Sequence, residues 1–461
     1  MRKASVCFLK LIRISLVSVG CCTLAIAADA PTAADQNPRE WIDPDTGHRV
    51  IRISTEPDSQ SLYFHYNSYT PEGDKMVFSA PSGIWTVDLI TLGQGTPKLE
   101  QLVDSNGTSI NLLMTAYKSR DAYFIANNAL YAVNVDTKAI RTLVIDNNAA
   151  GRIYGVNCDE TIVGGMLPGL DPTGHVVHQT PKPILPQRER MFGDKIAAGI
   201  ALTPDEEFAA NKEDGLSARL ADPASTGFLF TNLKTGTQTW TGFQFASIDH
   251  QQFCPTDPHL VLYAHEGSWH EVDRIWTVRT DGSDQRLMYK RQMDMEIVGH
   301  EFWSYDGKTI WFDMQTPRSK DFWIGGVNVA TGKLTKYHIE RDWWGVHFNV
   351  SRDNTLFASD GGDPTQVAFS QNDAWINLFR VQPDGRVTRE KLVNMAKQNY
   401  VTGATRLGVA GGGIEPNVSI TPDKKWVVFR ANIQGAVQVY AAEIGGDPSK
   451  ISKPEKFVAE K

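Results

Sequence analysis

Ser304-Tyr305-Asp306-Gly307-Lys308-Thr309-Ile310-Trp311-Phe312 is a polar turn running straight into an apolar strand. Asp and Gly supply the turn, and the β-branched and aromatic residues behind it suit a pleated, packed surface. The pattern recurs. Thr70-Pro71-Glu72-Gly73-Asp74-Lys75-Met76-Val77-Phe78 and Thr421-Pro422-Asp423-Lys424-Lys425-Trp426-Val427-Val428-Phe429 are close copies. Looser ones begin at Ser119, Cys158, Pro255 and Ser351, which makes seven with the copy at Ser304.

A second series of strands interleaves with the first, one for one. Its members start at Ile84, Leu130, Phe228, Ile275, Trp323, Leu378 and Val439, and several run into Thr-Gly or Asp-Gly hairpins. Two strand markers per repeat with such turns between them fit a four-stranded antiparallel blade. One blade cannot bury both of its faces, but a ring of blades can. The chain is therefore expected to be all-β, a single seven-bladed β-propeller over 49–461, with apolar runs such as Trp426 to Phe429 as inner strands. Arg49-Val50-Ile51-Arg52-Ile53 alternates charged and aliphatic residues, and is expected to add a strand to the last blade and close the ring. Blades of about 60 residues exceed the ~40–45 of compact propellers, so the excess lies in loops.

The largest excess, about 166–226, falls inside the third repeat. Pro168, Pro172, Pro181, Pro183 and Pro186 make its first part irregular. Thr203-Pro204-Asp205-Glu206 then reads as a cap, a proline at the first helical position and acids in the first turn. A helix over about 204–213, stopped near Gly215, is expected. Long ordered insertions on rigid rings are either lids or surface excursions.

At the N-terminus, Arg2, Lys3, Lys10 and Arg13 precede an apolar run from Ile14 to Ile26 and the small-residue site Ala25-Ile26-Ala27. This is expected to be a signal peptide over 1–27, followed by a leader over 28–48 and placing the protein in the periplasm or outside the cell. No later stretch is long and apolar enough for a membrane span. A net charge of −7 lacks the basic footprint of a nucleic-acid binder. Cys158 and Cys254 are the two cysteines beyond the signal; a bridge or two buried thiols are both open readings, and two cysteines make no zinc site.

Loops at strand ends converge on one mouth of a propeller's channel, so histidines from different blades can meet there. His65, His250, His265, His300 and His347 fall at such ends, and Glu266, Asp273 and Arg274 add charge around blade four. Gly299-His300-Glu301-Phe302-Trp303 leads directly into the turn at Ser304. Taken alone, His300 is more simply a hydrogen-bonded loop histidine. The sequence lacks His-Glu-x-x-His, and it lacks a Gly-x-Ser-x-Gly elbow. Trp269, Trp303, Trp343 and Trp344 are candidates for stacking on sugars, although blades also use tryptophan as core.

The pieces His265-Glu266-Gly267, Val272-Asp273-Arg274-Ile275-Trp276 with Asp281-Gly282, and His300-Glu301-Phe302-Trp303 resemble the oligogalacturonate lyase family of polysaccharide lyases. Weaker agreement extends to Tyr63-Phe64-His65-Tyr66, to His347 with Asp360-Gly361, and to Ser419-Ile420-Thr421-Pro422-Asp423. The resemblance implies β-elimination on a uronate-containing oligosaccharide, assisted by a divalent cation, with Mn expected and Mg or Ca as alternatives. It implies His250 as base and Arg274 at the substrate carboxylate, with His265, His347, Tyr66 and Trp303 binding substrate. It also implies His300 as a metal ligand. The family's glutamine and histidine pair ahead of the last Thr-Pro-Asp turn are replaced by Gly412, Glu415 and Asn417, leaving His300, Glu415 and Asn417 as the expected ligand set. The partners expected are an oligouronide, no nucleic acid and no membrane, with the chain a monomer or a small homo-oligomer. The competing readings are a non-catalytic, TolB-like periplasmic propeller, for which the blade turns speak equally, and a glycosidase, which needs two carboxylates across a cleft.

Overall fold

In the computed structural model, residues 37–145, 152–168, 177, 180–221, 224–362, 374–397, 414–445 and 455–456 are described. The expected signal peptide, and Gly412, lie outside them. Seven antiparallel sheets follow one another along the chain and form the ring of a seven-bladed propeller. Outside blade one, whose sheet has three strands starting at Lys75–Ala80, each marker of the first series is a blade's second strand and each marker of the second series its third, as in blade five with Ile297–Trp303, Thr309–Gln315, Phe322–Asn328 and Leu334–Ile339 in order.

The recurring turn has a recurring physical cause. In blade five the Ser304 hydroxyl donates to Asp306 (2.7 Å) and accepts from the Thr309 amide (2.9 Å). Blade six repeats this with Ser351, Asp353 and Leu356, and blade seven with Thr421, Asp423 and Trp426. One hydroxyl and one carboxylate thus satisfy the turn's own backbone. The position after the Asp needs positive φ, which Gly307 (67°), Asn354 (59°) and Lys424 (58°) all adopt.

The apolar runs expected as inner strands are second strands, buried between neighbouring blades, with Val427, Val428 and Phe429 fully covered. The innermost strands are more polar. Gln251, Gln252 and Asn349 line the central channel with Tyr117 and Tyr154. Site residues therefore sit on the strands that the apolar pattern marks least.

Closure takes in more of the N-terminus than expected. Arg49–Arg52 pairs with Gln438–Glu443, as anticipated, and Glu40–Ile42 pairs outside it as a further strand. Residues 40–48, read as leader, belong to blade seven. His48 is buried, its Nδ1 2.7 Å from the Glu443 carbonyl and its Nε2 3.0 Å from Glu390. The short strand Glu455–Lys456 pairs with the outer strand of blade six. Deleting residues 37–52 leaves Gln438–Glu443 as an exposed edge. The expected result is loss of the wild-type elution peak in size-exclusion chromatography; an unchanged elution and melting profile would show that the ring does not need its N-terminal strands.

The insertion carries two helices among the described residues, α1 (Gln187–Ala197) and α2 (Pro204–Ala221). The cap at Thr203 is reciprocal: its hydroxyl accepts from the Glu206 amide (3.2 Å), and Glu206 accepts from the Thr203 amide (2.9 Å). α2 runs through Gly215, where a stop was expected. Ala209, Glu213, Ser217 and Ala221 form one buried face at four-residue spacing, and that docking outweighs a glycine penalty of about 1 kcal/mol. Glu213 is the anchor, paired with Arg318 (2.8 Å) and accepting from Ser268 (2.7 Å). Ser217 and Gln187 both donate to Glu271. The insertion is thus locked onto blades four and five. Cys158 and Cys254 are free and buried, which settles the open choice for thiols.

Candidate active site

Three inner strands bend at the same place. Pairing slips between Asp249 and Gln252 in blade four and between Gly299 and Phe302 in blade five, the mark of a bulge. His250 (φ 53°), His300 (φ 47°) and, in blade seven, Asn417 (φ 53°) all hold the left-handed backbone that side chains other than glycine rarely adopt. Such conformations cost about 1–3 kcal/mol each and persist where packing imposes them, commonly at functional sites. Together they turn His250 and His300 toward each other, with ring centres 5.7 Å apart, and His347 of blade six stands 4.7 Å beyond His300.

His250 is held at both nitrogens. Its Nδ1 is 2.9 Å from Glu301 and its Nε2 3.3 Å from the Tyr63 hydroxyl. Glu301 also accepts from Arg274 Nε (2.9 Å), and Arg274 pairs with Glu266 as well (2.8 Å). Burial pushes the Glu301 carboxyl upward, but Arg274 and His250 beside it win and hold it at about 2. An ionised Glu301 only accepts hydrogen bonds, so His250 carries its proton on Nδ1 and keeps Nε2 as the basic nitrogen.

Tyr63 bridges two imidazoles, since its hydroxyl is also 3.2 Å from His347 Nε2. One hydroxyl proton serves only one of them. Burial works against protonating His347, yet Asp360 at 2.7 Å from its Nδ1 raises its pKa overall. The Tyr63 hydroxyl thus couples the two rings through their Nε2 atoms. His300 has the opposite electrostatics: burial, then His347 and His250, lower its pKa well below the usual value and keep it neutral. Its Nδ1 has no hydrogen-bond partner and lies 3.8 Å from Asp313, one of whose oxygens is equally unpartnered. Burial lifts the Asp313 carboxyl to about 7, although Trp344 donates to it at 3.1 Å.

Of the residues expected from sequence, His250, Arg274, His300, His347, Glu415 and Asn417 gather here. Arg274 is buried and pairs through Nη2 with Glu266 and through Nε with Glu301, while its Nη1 has no hydrogen-bond partner. His347 is fully buried and supports Tyr63. Glu415 lies 3.7 Å from His347 Nε2. The Asn417 amide meets backbone groups, accepting from Phe64 (3.2 Å) and donating to the Glu415 carbonyl (3.0 Å).

Three others lie elsewhere. His265 bonds Gln244 of blade three (2.8 Å) and stacks on Trp276 of blade four (4.7 Å), because the strand's alternation turns it off the channel. Tyr66 lines the enclosed channel below the histidines. Trp303 packs in the core between blades four and five. Trp343 and Trp344 are likewise core, and Trp269 is covered, edge-on to His300 at 5.0 Å. Sequence reading passed over Tyr63, Glu301, Asp313 and Asp360 as site residues. Glu301 stood inside the quoted motif, but alternation assigns neighbours to opposite faces, and only the bulge brings both His300 and Glu301 to the site.

The arrangement is one imidazole base with a carboxylate behind it, a neutral imidazole beside it and a half-exposed carboxylate opposite. Residues 220–447 match the family model described as oligogalacturonate lyase. The oligogalacturonate lyase of Dickeya dadantii is 26% identical over 425 residues, covering 87% of this chain and 94% of that protein. The oligogalacturonide lyase of Pectobacterium atrosepticum is 26% identical over 415 residues, with the same coverage. The solved structure of an oligogalacturonate lyase in complex with manganese superposes with a TM-score of 0.63 at 20% identity, covering 89% of this chain and 96% of that one, and so shares its fold. With those relatives matched over nearly their whole length and the family match running through blades four and five, where the histidines meet, the chain is similar to the oligogalacturonate lyases.

Proposed function

We propose that the protein is a lyase that cleaves oligogalacturonate by β-elimination, with His250 as base. The observation that carries the reading is the His250 environment: Nδ1 pinned by an ionised, buried Glu301 and Nε2 turned to the channel. In the reaction Nε2 takes the proton on the carbon α to the uronate carboxylate. The electron pair forms the new carbon–carbon double bond, and the glycosidic oxygen leaves from the β carbon. Arg274 keeps Glu301 charged, and Glu301 keeps His250 in the useful tautomer. Tyr63, shared with His347, occupies the Nε2 side until substrate arrives.

The donor set fits a hard divalent cation in part. His300 offers a neutral imidazole with an unpartnered buried nitrogen, and Glu415 a carboxylate. Among the described residues no three His, Cys, Asp or Glu side chains come together as a metal cage, so water and substrate complete the shell. A manganese ion held by His300 and Glu415 would act as Lewis acid on the carboxylate as charge builds there. The manganese complex of an oligogalacturonate lyase and the chemistry of β-elimination support this; Asn417 Oδ1, which accepts one hydrogen bond from Phe64, keeps a second lone pair for the ion.

We further propose export to the periplasm or beyond, on the basic and apolar N-terminus. The functional test is direct. Incubation with oligogalacturonate is expected to raise ultraviolet absorbance from the unsaturated product, to lose that signal with a chelator and to regain it with Mn²⁺. Absence of signal on oligogalacturonate, alginate and glucuronan oligomers, with and without Mn²⁺, returns the chain to a non-catalytic sugar-binding role.

A further inference from the structure

Two cations stand near the histidines without a carboxylate partner among the described residues. Arg430, on the second strand of blade seven, donates Nε to the Glu415 carbonyl (2.9 Å) and Nη1 to the Gln60 side chain (2.7 Å), both neutral acceptors. Its backbone pairs with Pro416, which seats it beside Glu415 and hence beside His347. A partly buried guanidinium bonded to neutral groups alone is short of counter-charge.

Lys212 lies on the far side. It sits on α2 next to the anchored Glu213, with Nζ 5.7 Å from the centre of Trp269, the ring that abuts His300. The buried Glu213–Arg318 pair fixes the register of α2, so Lys212 is held at that rim although it is itself exposed. Blades four and five lie across the ring from blades seven and one. The two cations therefore bracket the histidine cluster.

We propose that Arg430 and Lys212 are binding residues for the carboxylates of consecutive uronates, so that the oligomer lies across the mouth with its reacting sugar over His250. This rests on the lyase reading and assigns the insertion a role: it carries one pole of the carboxylate clamp. Arginine suits the inner position, where a planar fork meets a carboxylate with two parallel hydrogen bonds, and lysine suits the exposed rim. A methyl ester removes the charge that both residues recognise, and a single free uronate cannot reach both.

The test uses the full-length protein with trigalacturonate, monogalacturonate and the trimethyl ester of the trimer. In wild type, KM for the trimer is expected to be far below that for its ester. Arg430→Gln is expected to raise KM for the trimer by about 10–100-fold, the range of a hydrogen bond to a charged group, and Arg430→Lys to recover part of that. Lys212→Ala should raise it by about two- to fivefold, as an exposed pair does. Calorimetric binding of trimer to a His250→Ala background gives the same ranking without turnover. If wild type cleaves the trimer but Lys212→Ala and Arg430→Lys bind and turn over as wild type does, the clamp is overturned and the lyase reading stands. If wild type neither binds nor cleaves any uronate oligomer, both fall. Lys212 is exposed on α2, so its variant stays informative even if Arg430→Gln fails to fold.

Discussion

His250→Ala is expected to lower kcat by about 10²–10⁴-fold on oligogalacturonate, the usual span for a positioned base, while circular dichroism and melting stay near wild type. The second half of that expectation matters as much as the first. His250 is partly exposed at the channel and its backbone sits in a left-handed bulge. Removing the imidazole deletes a base and two hydrogen bonds without opening a packed core. Alanine retains the same strained φ, so the bulge and His300 keep their places. A variant with full turnover would strip His250 of its role and shift attention to His347 or Tyr63. A variant that unfolds would show that the His250–Glu301 contact supports the ring itself.

Arg274→Met should produce the largest loss of stability of any single change near the site, about 3–5 kcal/mol in urea denaturation. The side chain is 1% exposed and holds Glu301, which is 0% exposed. Methionine fills much of the volume but leaves the carboxylate buried and without its guanidinium. The pH dependence follows the same logic. Glu301 has its folded pKa depressed to about 2, below the ordinary value of roughly 4.3 for the unfolded chain. Its contribution is therefore fully present above about 4.3 and is lost as pH falls through the folded value. In Arg274→Met the depression should largely vanish, and acid unfolding should begin at higher pH than in wild type. A loss under 1 kcal/mol with an unchanged acid limb would mean that Glu301 draws its stabilisation from His250 alone.

The ring was legible because its punctuation is chemical. A serine or threonine, an aspartate two residues on and a position tolerant of positive φ recur in blades five, six and seven for one reason, the self-satisfied turn at Ser304, Ser351 and Thr421. The site was only half legible. His250 and His300 stood out as titratable groups at strand ends, yet alternation gives no warning of the bulges that rotate them inward. His265 looked equivalent to them and is not, since its strand runs straight. Tyr63 looked like one aromatic among many and proves to join two imidazoles. The length of α2 was misjudged at Gly215 because propensity speaks for a residue alone, while the buried face from Ala209 to Ala221 speaks for the helix. The strand Glu40–Ile42 was too short to announce itself in a stretch rich in Pro, Asp and Gly.

The closure of blade seven by Arg49–Arg52 also sets a timetable. This early strand has as its partner Gln438–Glu443, among the last, so that edge waits while nearly four hundred residues are laid down. Contacts so distant in sequence form late. Tyr63 belongs to the first blade, His250 and His300 to the middle of the chain, and Glu415 to the last. A nascent or truncated chain thus holds every blade-four residue and no working site, and catalytic competence arrives with the final hydrogen bonds of the ring.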